Sequence, residues 1–212
     1  MQEGIVNHLK EIHKPDAIIL HGSRARGKER EHSDWDFIFL YNNATDVKNG
    51  RELYRNQNIE FSVHSLANNI EDIENEFSTK LQQAKVVYEK NKEGTNLLKQ
   101  AESLYKQGVH WTSDKLNDHK LWMQGRINGM RDNVDNSTVF TKYLADLYQR
   151  LFNYWYWIVQ NSYSQPFYIA VEEVGTKDPE YCTLVSQLAD SRVPLEEKVA
   201  VAEKIKERLF SE

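Results

Sequence analysis

The segment from Asp16 to Leu40 limits the possible fold of this chain more than any other. An apolar run, Asp16-Ala-Ile-Ile-Leu-His21, is bounded by Pro15 before it and Gly22 after it, and a second apolar run opens on Ser33-Asp-Trp-Asp-Phe-Ile-Phe-Leu40. The first run reads as a short strand buried on both faces. At Gly22 the chain must turn sharply, and glycine permits a backbone conformation and a ligand approach that a side chain would hinder. In a strand, residues two apart share a face, so Asp34 and Asp36 point one way while Trp35, Phe37 and Phe39 point into the buried side. The segment is therefore a strand, a turn and a second strand that carries two carboxylates on one face.

Oxygen ligands at that separation suit hard divalent cations such as Mg²⁺, which usually takes further ligands from water and substrate phosphates. Ser23 offers a hydroxyl and an N–H at the turn, where backbone N–H groups and a helix start can cradle phosphate oxygens. Arg24, Arg26, Lys28 and Arg30 follow, opposed locally by Glu29 and Glu31, so this stretch can attract a polyphosphate although the whole chain is acidic. Taken alone, a Gly-Ser pair is an ordinary turn and a mixed-charge run an ordinary solvated face. It is their conjunction with the acid pair that points to phosphate chemistry.

In-line attack at phosphorus between two metal ions calls for a further carboxylate near the nucleophile. Glu60 is the candidate, because Ile59, Phe61 and Val63 alternate with Glu60, Ser62 and His64 as in a half-buried strand. His64 shares the polar face and reads as satisfied or solvent-facing.

In these residues the chain resembles the nucleotidyltransferase superfamily related to DNA polymerase β. That pattern is an apolar strand, Gly-Ser or Gly-Gly, a variable spacer, Asp-apolar-Asp and a later strand carboxylate. Here it is met by Gly22-Ser23, Asp34-Trp35-Asp36 and Glu60 over residues 1–92. Gly22-Ser-Arg-Ala-Arg-Gly27 followed by Ser33-Asp34 looks most like the small bacterial branch of minimal nucleotidyltransferases and antibiotic-modifying enzymes. The departure is His21, where an apolar residue is common. The resemblance implies that Asp34 and Asp36 hold Mg²⁺, with two ions in the site, and that Glu60 is a metal ligand, a general base or both. It implies nucleotide contacts from Gly22, Ser23, Arg24 and Arg26. The implied reaction transfers a nucleoside monophosphate from an NTP, ATP being favoured, to an acceptor with release of pyrophosphate.

The chain has 212 residues, 40% hydrophobic and 11% aromatic, enough for one good-sized domain or two small ones. A net charge of −5 argues against a long nucleic-acid track, which needs many Lys and Arg contacts. Cys182 is the only cysteine, so no internal disulfide forms. With no leader-like amino terminus and no apolar run of membrane-spanning length, the expected location is cytoplasmic, away from membranes.

Lys85-Val-Val-Tyr88 reads as a last strand after a helix over about 69–83. From Asn96 onward the pattern is helical, broken near Gly108, 135–137, 164–166, 177–179 and 191–194. Over Thr138–Ser162, Leu144, Leu147, Tyr148, Leu151, Phe152, Trp155, Ile158 and Val159 form a core stripe. Phe140, Tyr143, Tyr154, Tyr156 and Trp157 lie outside it, a surplus that suits core, interface or a homodimer contact. The last helix has its stripe at Leu195, Val199, Ala202, Ile205 and Leu209, with Pro194 suited to its first turn. Lys142, Asp146 and Arg150 read as a surface ion-pair ladder.

The expectation is an α/β (α+β) protein, with a small mixed-sheet nucleotidyltransferase domain at 1–92, a helical bundle at 93–212 and the acceptor site at their meeting. The leading reading is an enzyme that adenylylates a hydroxyl of a small molecule, an aminoglycoside-type antibiotic being one candidate. The alternatives are a protein adenylyltransferase of the antitoxin type and a non-catalytic nucleotide-binding or partner-binding module. The acceptor, the preferred NTP, the choice of Glu60 or a helical carboxylate such as Asp146 as base, and the oligomeric state stay open.

Overall fold

Strands β1 (Ala17–His21), β2 (Trp35–Tyr41), β3 (Gly50–Tyr54), β4 (Gln57–Ser65) and β5 (Lys85–Glu89) form a five-stranded sheet of order β3-β4-β2-β1-β5. β4 runs parallel to β2, and the other neighbours are antiparallel. The computed structural model describes residues 1–43, 45–66, 78–81, 83–109, 111–165 and 167–210, without the side chains of residues 78, 79 and 168. The described chain forms two compact units, Met1–Lys106 and Gln107–Glu212.

Alternation along the strands gives the sheet two apolar faces. On one, Ile18, Leu20, Trp35, Phe37, Phe39, Ile59 and Phe61 pack with Ile5, Val6 and Leu9 of helix α1 (Gln2–His13). On the other, Ala17, Ile19, Ile38 and Leu40 pack with Leu97 and Ala101. A short helix α2 (Gly22–Ala25) follows β1, a helical turn α3 (Ser78–Leu81) precedes β5, and α4 (Glu93–Gln107) carries Leu97 and Ala101. The sequence reading divides the chain at 92/93; α4 covers the second face of the sheet, and the first compact unit runs on to Lys106. The helix expected over about 69–83 lies outside the described residues apart from residues 78–81 and 83.

Glu93 fixes the start of α4. Its carboxylate accepts from the Asn91 N–H at 2.7 Å and from the side-chain amides of Asn91 and Asn42, each at 3.2 Å. Burial pushes its pKa up, but these donors and its own N–H outweigh that and bring it down to about 2.

In the second unit, helices α5 (Ser113–Arg131), α6 (Ser137–Tyr154), α7 (Phe167–Lys177), α8 (Pro179–Ala189) and α9 (Leu195–Phe210) enclose one core. α6 continues into a π-helical turn, Trp155–Val159. The wider turn changes which residues face inward, so Tyr154, Trp155 and Tyr156 are all buried and Val159 is 46% exposed. Asp178 ties three elements together: it caps α8 through the Tyr181 N–H (3.1 Å), accepts from Trp155 Nε1 (3.1 Å) and pairs with Arg208 of α9 (2.8 Å).

Lys142, Asp146 and Arg150 do not form a ladder along α6. Asp146 reaches across to Arg126 of α5 at 3.5 Å, and Arg150 stacks 4.2 Å from the ring centroid of Trp122. Arg126 lies 4.9 Å from the same ring centroid, so the one indole offers both arginines a better surface than open water. Among the described residues no helix is long and apolar enough to cross a membrane.

Candidate active site

The strand pairings set four side chains in one row across the sheet: His21 on β1 opposite Asp36 on β2, Asp36 opposite Glu60 on β4, and Glu60 opposite Arg51 on β3. Asp34 lies just before β2 and is exposed, while Asp36 is half-buried. The turn at Gly22 closes directly on this row. Gly22 has φ +73°, and a Cβ placed on it would stand 2.1 Å from Asp36 Oδ2. Glycine is required there twice over, by its left-handed backbone and by the carboxylate at its back. Ser23 follows in α2 and is half-buried.

Burial pushes the Asp36 carboxyl up to about 6, helped by the negative charges of Asp34 and Glu60, while Arg26 and Lys80 draw it partly back. Burial likewise depresses the His21 imidazole to about 4, with Lys80 and Arg26 adding to the effect, so it is neutral near pH 7. The two cations that act on Asp36 therefore come from α2's end and from α3.

Arg24 has a different task from its neighbour Arg26. Its guanidinium donates through Nε to the Asp34 carbonyl (3.0 Å) and through Nη2 to the Ser33 carbonyl (2.5 Å), and it stacks 4.4 Å from the Trp35 ring centroid. Gln57 Oε1 lies 3.4 Å from both Arg24 Nη2 and Trp35 Nε1. Arg24 thus braces the entry to β2 and fixes the backbone of Asp34. The Glu60 carboxylate is turned to Arg51, with Nε to Oε2 at 2.9 Å.

Among the described residues no three His, Cys, Asp or Glu side chains converge closely enough to hold a metal ion. The donor chemistry nonetheless fits a divalent cation. Asp34, Asp36 and Glu60 supply hard oxygens, and the Asp36 carboxyl, raised chiefly by burial, is raised further by repulsion from Asp34 and Glu60 that a cation among them would relieve. With Glu60 paired to Arg51, Asp36 is the acid that meets the Gly22 turn.

Two contributors escaped the sequence reading. Arg51 sits on β3, a strand whose hairpin turn, Arg55-Asn56, takes left-handed φ values of 48° and 64° without the usual glycine. Lys80 comes from α3, far along the chain from the acids it influences. No apolar alternation marks β3, since Arg51 and Leu53 share one face and Glu52 and Tyr54 the other, each pairing a charge with an apolar or aromatic side chain.

Residues 3–93 match the family model for polymerase beta nucleotidyltransferases. The first unit is accordingly a polymerase β-like nucleotidyltransferase domain, a family of transferases that generally use divalent metal ions. A nucleotidyltransferase-like protein from Exiguobacterium sibiricum 255-15 has a similar structure, with a TM-score of 0.54 and 14% identity, over 99% of this chain and 74% of its own. At that identity the likeness speaks for the fold. Comparison with curated proteins finds no match.

Proposed function

We propose that the protein is a Mg²⁺-dependent nucleotidyltransferase that moves a nucleoside monophosphate, AMP from ATP in the favoured case, to a hydroxyl of a small acceptor. The observation that carries this reading is the contact of the Gly22 turn with Asp36, which in turn lies in register with Glu60. The turn that we read as phosphate-handling thus adjoins a pair of acids on neighbouring strands. The family match at residues 3–93 supports the same chemistry.

Asp34 and Asp36, with Glu60 once it leaves Arg51, would hold two Mg²⁺ ions. Bound there, the ions would neutralise charge on the α-phosphate and on the departing pyrophosphate. Ser23 and the Gly22 turn hold the triphosphate, with Arg26 and Lys80 adding positive charge beside it. Glu60 accepts the proton of the attacking hydroxyl. The acceptor oxygen bonds to the α-phosphorus as the bond from that phosphorus to the β-phosphate's bridging oxygen breaks, and pyrophosphate leaves.

The test is incubation with Mg²⁺ and α-labelled ATP, alone and with a panel of hydroxyl compounds that includes aminoglycosides, sugar phosphates and hydroxy acids. The expected result is label on a small molecule with stoichiometric pyrophosphate, abolished by Asp36→Asn. Label on protein instead would make this a protein adenylyltransferase. Binding of Mg²⁺-ATP without transfer to any acceptor would favour a nucleotide-binding module.

A further inference from the structure

Beside the acids, on the side away from the Gly22 turn, β3 and β4 form an open groove of about 590 Å³, bounded by Asp34 and Glu60 at one end and by Arg51, Leu53 and Asn58 along it. Arg51 faces Glu60 and Leu53 faces Asn58 across the two strands. Arg51's side chain is 80% exposed, and its one hydrogen bond among the described residues uses Nε, to Glu60. Its two terminal amino groups have no partner there. Leu53, 70% exposed, is an apolar surface two residues further along the same strand.

The order of parts across the sheet gives this groove its meaning. In nucleotidyl transfer the attacking and leaving oxygens lie roughly in line through phosphorus. The Gly22 turn adjoins β1 and Asp36, Glu60 is one strand beyond Asp36, and Arg51 is one strand beyond Glu60. With pyrophosphate leaving over the turn, the attacking hydroxyl arrives from the β4–β3 side. A planar guanidinium with two unpaired amino groups matches a carboxylate or phosphate edge on, in a bidentate fork that an ammonium cannot copy.

Resting on the transfer reading above, we propose that the β3–β4 groove is the acceptor subsite and that Arg51 binds an anionic group, phosphate or carboxylate, of a small hydroxyl-bearing acceptor. Leu53 supports the acceptor's carbon skeleton. Glu60 gives up Arg51 as the nucleotide and acceptor bind, and the freed guanidinium turns to the acceptor's anion. In the step itself Glu60 takes the hydroxyl proton as the new oxygen–phosphorus bond forms, the bond from that phosphorus to the bridging oxygen breaks and pyrophosphate departs. Such an acceptor is the opposite in charge of a polycationic aminoglycoside, which would meet Arg51 as a like charge.

The experiment loads the full chain with Mg²⁺ and the non-transferable analogue α,β-methylene-ATP, then titrates it calorimetrically with inorganic phosphate and, separately, with acetate. The inference expects one of these anions to bind, and Arg51→Gln to weaken it about tenfold or more while the analogue still saturates the variant. Arg51→Lys should restore only part of the affinity, since it keeps the charge and loses the fork. Phosphate binding without acetate binding assigns a phosphorylated acceptor, and the reverse assigns a hydroxy acid. Anion binding that is absent, or equal in wild type and Arg51→Gln, overturns the inference and leaves the transfer reading standing. Failure of the analogue itself to bind overturns the transfer reading, and this inference with it.

Discussion

Asp36 and Gly22 touch across the β1–β2 junction so closely that no side chain fits between them: a Cβ on Gly22 would stand 2.1 Å from Asp36 Oδ2. The turn and the acid therefore hold each other in place. Gly22→Ala meets both the left-handed backbone at φ +73° and the carboxylate. The backbone alone costs about 1–2 kcal/mol, and a displaced Asp36 should lower kcat about 100-fold, the scale expected for an ångström-sized misplacement. Thermal melts and label-transfer rates on the same preparation check both.

Asp36→Asn separates chemistry from stability. The folded protein raises this carboxyl from 3.8 to about 6, so folding favours its protonated form. Stability is unaffected below the ordinary carboxylate value, falls as pH rises from there to about 6, and carries the full penalty above it. The carboxylate is only half-buried, so water screens the penalty to about 1 kcal/mol. Without metal, Asp36→Asn should melt higher than wild type at about pH 8, and the gap should close near pH 4. Added Mg²⁺ should raise the wild-type melting temperature and leave that of the variant unchanged.

Arg24→Ala tests whether this arginine positions Asp34 or touches nucleotide. Its bonds to the Ser33 and Asp34 carbonyls predict a fall in kcat of about 10- to 100-fold with little change in KM for ATP. Arg24→Lys should not restore the rate, because one ammonium cannot serve both carbonyls and also stack on Trp35. A rise in KM at constant kcat would assign Arg24 to the nucleotide instead.

Glu93→Gln probes the junction at which α4 begins. With its carboxyl held near 2 against an ordinary 4.5, Glu93 contributes stability that is complete above 4.5 and lost as pH falls through about 2. The charge-assisted bonds from Asn91 and Asn42 make the loss about 1–3 kcal/mol near pH 7. Urea unfolding should show wild type and variant converging as pH falls from about 4.5 towards 2.

Much of the first unit was legible because its strands are short, strongly apolar and punctuated. Pro15, Gly22 and the Asp34-Trp35-Asp36 alternation mark β1, the turn and β2, and Ile59-Glu60-Phe61 marks β4. β3 went unread because Arg55-Asn56 turns the chain with two left-handed non-glycine residues, and Arg51 was missed with it. Arg24's basic charge suggested phosphate, but only the fold reveals that its donors meet the Ser33 and Asp34 carbonyls. In the second unit the breaks between helices were readable from Gly, Asn, Ser and Pro. The inward face at Tyr154–Tyr156 was not, because a π-helical turn departs from the 3.6-residue period on which the stripe was read.

Among the described residues β3 is an edge of the sheet and bonds only to β4, whereas β1, β2 and β4 are each held on both sides. Descent with modification meets very different resistance in the two places. Changing Asp36 or Gly22 disturbs neighbours on both sides, while Leu53 meets mostly solvent and Arg51 a single hydrogen-bond partner, Glu60. On the acceptor reading proposed above, a change of acceptor needs edits only at this margin, with the row at Asp36 left as it is.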